Sequence, residues 1–99
     1  EEAVLINAHL NCANLSESSL FGANIQGADL SGAYLRNANL YEANLQGANL
    51  SGADLHKADL KGANLKGANL SGVHLKNAFF DGTIMPDGIE WNKPKRDHW

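Results

Sequence analysis

A period of five constrains this chain more than any other feature. Leu stands at 5, 10, 15 and 20, Ile at 25, Leu at every fifth position from 30 to 75, then Phe80 and Met85. Two residues before each stands a small one: Ala3, Ala8, Ala13 and Ser18, Ala at every fifth position from 23 to 68, then Val73, Ala78 and Thr83. Between the two, Asn or Asp recurs at 14, 24, 29, 39, 44, 49, 54, 59, 64 and 69. The result is seventeen consecutive units of the form small–polar–Leu–x–x. No regular element accepts this period. On an α-helix five residues overshoot a full turn by roughly 140°, so the leucines would spiral around every face. On one long strand they would alternate between the two faces. A short extended piece followed by a corner resolves the conflict. The small residue and the Leu, two apart, then point to one side, and the next two residues turn the chain.

A second period sets the number of sides. Ser31-Gly32-Ala33, Ser51-Gly52-Ala53 and Ser71-Gly72-Val73 align at a spacing of twenty, as do Gln26-Gly27-Ala28, Gln46-Gly47-Ala48 and Lys66-Gly67-Ala68. Twenty residues hold four units, so the coil has four sides, with successive coils pairing as parallel strands about 4.8 Å apart. Leucine-rich repeats and hexapeptide helices have other spacings and do not fit. The expected fold is all-β: a parallel β-helix with four pentapeptides per coil and about four coils.

These residues resemble the pentapeptide-repeat family, whose consensus is A-(D/N)-L-x-x. The resemblance covers residues 3 to 85 and implies a right-handed quadrilateral β-helix. The segment Gly82-Thr83-Ile84-Met85-Pro86-Asp87-Gly88 also resembles the end of repeat arrays in cyanobacterial and plastid members.

Corners should carry φ > 0 at their second residue, which Gly supplies at Gly22, Gly27, Gly32, Gly47, Gly52, Gly62, Gly67, Gly72 and Gly82. One edge lacks Gly and carries Glu17, Asn37, Lys57 and Asn77 instead. Glu and Lys disfavour positive φ, so this edge is expected to use another turn type.

The domain reading is a repeat helix over residues 1–85 and a tail over 86–99 that caps it in part, with Ile89 and Trp91 folding over the last coil. At the other end Glu1 and Glu2 run directly into the first unit, which leaves three readings: upstream residues are missing, another chain stacks there, or the two glutamates alone guard the open sheet edge. No targeting leader is visible, which favours the cytoplasm, or a lumenal or periplasmic site if a leader has been removed.

Composition narrows function by exclusion. A net charge of −3 over 99 residues is too mild for a nucleic-acid binder. No apolar run is long enough to span a membrane. A single cysteine, Cys12, expected to face outward, supports neither a disulfide framework nor a Cys-based zinc site. His9, His56, His74 and His98 are scattered, and the serines at 31, 51 and 71 have no adjacent base. The reading is therefore no enzyme, no cofactor, no metal and no small-molecule substrate.

Ladders of outward residues remain. Phe21, Tyr41 and Lys61 stack at intervals of twenty, Ser16, Arg36, His56 and Lys76 stack on the neighbouring edge, and Tyr34 and Phe79 also face out. Stacked like residues follow from repeat duplication alone, and aromatic ladders stabilise sheets. Exposed aromatics beside cations are also typical interface anchors. Phe21, Tyr41, Lys61, Arg36, His56, Lys76 and Tyr34 are thus the candidate partner surface, and an unidentified protein is the expected partner. Charge is uneven along the chain, with six acids and one base in residues 1–54 and one acid and four bases in 55–80. That pattern suits end-to-end self-association or stacking with another repeat protein.

The first functional expectation is a protein-interaction or scaffolding module acting through its outer faces or coil ends. The alternative comes from the family resemblance: some pentapeptide-repeat proteins imitate B-DNA and protect DNA gyrase, a type II topoisomerase. DNA carries one charge per roughly 1.7 Å, and this chain, with its cationic ladder, has no comparable acidic density.

Overall fold

The computed structural model describes residues 3–91. Its chain winds into four-sided coils. From Val4 to Asn64, the middle residue of each three-residue side, most often Asn or Asp, forms a parallel bridge with the residue twenty positions on. The first side carries the ladder Val4–Asn24–Asn44–Asn64–Ile84, the second His9–Asp29–Asn49–Asn69, the third Asn14–Tyr34–Asp54–His74 and the fourth Ser19–Asn39–Asp59–Phe79. Each side lasts only three residues between corners, so its β-pairing is a single isolated bridge and not an extended strand.

The five backbone N–H groups of a unit divide their bonds in a fixed way. In the first unit the Leu5 amide donates to the Asn24 carbonyl at 2.7 Å and the second corner amide, Asn7, donates to Gln26 at 2.9 Å. The polar residue of the next coil donates back, Asn24 to the Ala3 carbonyl at 2.9 Å. The small residue closes the corner, Ala8 to Leu5 at 3.1 Å. One amide is left over, that of the first corner residue. The Asn or Asp two residues earlier accepts from it, as in Gln46 N–H to Asn44 Oδ1 and Lys66 N–H to Asn64 Oδ1, both at 3.0 Å. The preference for Asn and Asp in the repeat therefore has a mechanical cause. A short carbonyl-bearing side chain is needed to hold the one donor that the ladder cannot use.

The non-Gly edge corrects an expectation. Glu17, Asn37, Lys57 and Asn77 have φ of 63°, 58°, 62° and 62°, in the same left-handed region as the glycine corners. Their corners close with the same bond, as in Ala58 N–H to Leu55 at 2.9 Å, and make the same ladder bond, as in Lys57 N–H to the Lys76 carbonyl at 3.0 Å. The coil requires each corner amide to meet the next coil, and that cooperative demand overrides the residue's own preference.

Inward residues form one continuous core. From Ile25 to Leu65 every large inward side chain is essentially inaccessible, and the alanines between them are buried too. Small and large residues alternate around the coil, so a Leu layer fills the square without crowding the sides. At the N-terminal side Leu5, Leu10 and Leu15 are only partly covered, as is Leu70 near the other end. Thr83 takes the small position in the last unit, and its buried hydroxyl donates to the Leu60 carbonyl.

After Met85 the chain reverses through Pro86–Gly88. Glu90 bridges Ile84 in antiparallel sense, the Met85 amide donates to the Ile89 carbonyl at 2.9 Å, and the Trp91 amide donates to Thr83 at 2.6 Å. The Trp91 ring packs on the core, 5.5 Å from Phe80. Ile89 does not fold over the coil as expected. Ile89 is 66% exposed and joins the edge through its backbone carbonyl, which accepts from the Met85 amide, so Trp91 alone of the two supplies cover. The expectations for Glu1, Glu2 and the tail from residue 92 onward lie outside the described residues.

Candidate functional site

The fourth side and its two flanking edges collect most of the outward features. Along the edge between the fourth and first sides, Phe21 and Tyr41 stack with ring centroids 5.6 Å apart and planes within 8°. The next residue of that ladder, Lys61, turns onto the fourth side. Its ammonium lies 5.8 Å from the centroid of Phe79 and 3.9 Å from Asp59 Oδ2. The fourth side thus adds Phe79, 54% exposed, to Phe21 at 49% and Tyr41 at 37%. Four backbone rungs at about 4.8 Å hold this strip in fixed register.

On the other edge the Arg36 Nε donates to Asp54 Oδ2 at 2.6 Å, and the His56 amide donates to Asp54 Oδ1 at 3.1 Å. His74 stands beside Asp54 on the next rung. Partial burial opposes ionisation of Asp54. The bonds from Arg36 and the His56 amide, with the charges of Arg36 and His74, outweigh it and hold the carboxyl below its ordinary value of 3.8. Arg36, Asp54, His56, His74 and Lys76 line one depression of about 360 Å³. On the second side Asp29 is lowered as well, through bonds from the Ser31 hydroxyl at 2.7 Å and the Ser31 amide.

The sequence candidates fall into two groups. Phe21, Tyr41 and Lys61 form the aromatic strip with Phe79; Arg36, His56 and Lys76 form the depression with Asp54 and His74. Tyr34, 53% exposed, belongs to the third side, on the rung before Asp54. Reading ladders at intervals of twenty did not reveal the contacts across them. Arg36–Asp54 and Lys61–Phe79 are both separated by eighteen residues. The first corner residue reaches the outward polar position of the next coil, two residues before its own stacked equivalent. That spacing is readable in a sequence once the coil length is known. Among the described residues no group of three or more His, Cys, Asp or Glu gathers as a metal site, and no helix is long and apolar enough to cross a membrane.

Solved structures share this architecture. The chain is similar to alr5209, a pentapeptide repeat protein from Nostoc PCC 7120, at 44% identity and a TM-score of 0.76, over 78% of this chain and 64% of that one. It is similar to HetL, a pentapeptide repeat protein involved in heterocyst differentiation regulation in Nostoc sp. strain PCC 7120, at 33% identity and a TM-score of 0.53, over 92% of this chain and 63% of that one. QnrB1, a plasmid-mediated fluoroquinolone resistance protein, shares the fold at 23% identity and a TM-score of 0.50, over 84% of this chain and 53% of that one. The chain therefore spans less than two thirds of the length of these structures. No curated protein matches it. The family model for pentapeptide repeats matches residues 1–37, 33–72 and 63–86, and together with the five-residue core and the twenty-residue ladders this establishes that the chain belongs to the pentapeptide repeat family.

Proposed function

We propose that this chain is a non-enzymatic protein-interaction module that engages its partner with the fourth side, and that its coil has the right-handed sense the family resemblance implies. The observation that carries the functional reading is the strip Phe21–Tyr41–Phe79 with Lys61 over Phe79. Three aromatic rings held outward on a rigid face, with a cation among them, form the kind of anchor that dominates protein interfaces. The backbone rungs already fix the spacing of their attachment points, which lowers the ordering cost of binding.

Gyrase inhibition by DNA mimicry has less support. Two of the central acids, Asp54 on the third side and Asp59 on the fourth, stand beside Arg36 and Lys61 at 2.6 and 3.9 Å, so these two sides present neutralised pairs instead of a run of phosphate-like charges. The likeness to QnrB1 is one of fold.

Comparative capture from the native lysate tests the reading. Wild type, a Phe21→Ser/Tyr41→Ser variant and an Asn49→Ser/Asn69→Ser control on the opposite side would be immobilised in parallel. The proposal expects a protein retained by wild type and control and lost with the aromatic variant. Identical retention by all three would overturn it.

A further inference from the structure

The aromatic strip leaves the neighbouring depression unused. Its lining comes from three successive coils: Arg36, then Asp54 and His56, then His74 and Lys76. Four of these five groups are cationic or protonatable. With both imidazoles neutral the lining carries one net positive charge, and with both protonated it carries three. Lys76 has no acidic partner among the described residues, and the imidazoles of His56 and His74 make no hydrogen bond there. Asp54 does not fill the space as a resident anion. It is the one acid of the lining, its side chain 17% exposed, and accepts from Arg36 and the His56 amide within the wall. Arg36 spends only its Nε on Asp54, which leaves the terminal guanidinium nitrogens as donors on a head whose orientation is already set.

We propose that this depression binds one phosphate-type oxyanion, held by the terminal nitrogens of Arg36, the Lys76 ammonium and the His56 and His74 rings, with Asp54 as the positioning residue for Arg36. Rungs spaced about 4.8 Å apart bring donors from three coils around a tetrahedral ion, which offers acceptors in several directions where a carboxylate offers them in one plane. The site does not depend on the aromatic strip meeting a protein. The phosphate could be free or carried on a phosphorylated side chain, and the chemistry of capture is the same.

The test is a titration of the wild-type chain with inorganic phosphate at constant ionic strength, following the histidine ring resonances by NMR. Saturable movement of His56 and His74, with His9 on the second side unmoved, is the expected result. Arg36→Gln/Lys76→Gln should weaken the fitted affinity by about tenfold or more, because two charge-assisted contacts are lost. Lys76→Arg should keep it, which separates loss of charge from damage to the coil. A phosphoserine peptide in a second arm distinguishes the sources. Saturation well below the phosphate concentration marks a phosphorylated partner, and saturation at an equal concentration marks free phosphate. Rings that do not move, His9 moving as much as the others, or an affinity unchanged in the Gln variant would each overturn the site.

Discussion

Lys57 holds the left-handed conformation that Gly takes at other corners, and replacing it measures what the coil imposes on its corners. Its φ is +62°, and its side chain is exposed. An L-residue in the left-handed region costs roughly 1–2 kcal/mol, whereas Gly enters it without that penalty and gives up about 0.5–1 kcal/mol of extra chain entropy on folding. Lys57→Gly should therefore stabilise the chain by about 0.5–1 kcal/mol. The reverse change is equally informative. Gly47 has φ +69° and nothing within 4 Å of an added Cβ, so Gly47→Ala adds strain without a clash and should cost about as much. Asn37→Gly should gain less than Lys57→Gly, since Asn tolerates the left-handed region. Urea unfolding followed by circular dichroism reads all three, and in a chain of this size 1 kcal/mol moves the thermal midpoint by about 4–8 °C. Lys57→Gly proving destabilising while Gly47→Ala is neutral would refute the argument that all four corners share one turn.

Other consequences follow from burial and hydrogen bonding. Leu45→Ala, at a fully buried central position, should cost about 2–5 kcal/mol in urea unfolding, and Leu10→Ala, partly covered in the first coil, clearly less. Asn64→Ala removes the acceptor for the Lys66 amide, so hydrogen exchange at Lys66 should accelerate while the Leu65 amide, bonded to the Ile84 carbonyl, keeps its protection. Asp54 has a folded-state pKa below 3.8, so its contribution is present above that value and is lost as pH falls through the lower folded one. Arg36→Gln should bring the Asp54 titration, read by carboxyl NMR, back toward 3.8; an unmoved titration would refute the pairing.

The inward half of this structure is legible in the sequence because one rule governs it. Ala and Leu two apart must face one way, and the alignment of Ser-Gly-Ala units at twenty sets the coil. The corner at Glu17 and Lys57 resists the same reading, since local propensity favours a different turn. The ladder bonds from Glu17 to Arg36 and from Lys57 to Lys76 decide otherwise. Ile89 marks a second limit: an apolar residue after the last repeat reads as cover, but Ile89 stays exposed and only Trp91 packs on Phe80. The outer surface is legible as ladders but not as contacts. Long side chains at the corners lean across the ladders, so that Arg36 meets Asp54 and Lys61 meets Phe79.

Site-specific photocrosslinking would show which side of the rod meets a partner. A benzoylphenylalanine placed at Phe79 on the fourth side, and separately at Asn49 on the opposite side, would be irradiated in the native lysate. A discrete protein adduct is expected from position 79 and none from position 49. Adducts of equal yield from both positions, or from position 49 alone, would contradict the assignment of the fourth side as the interaction face.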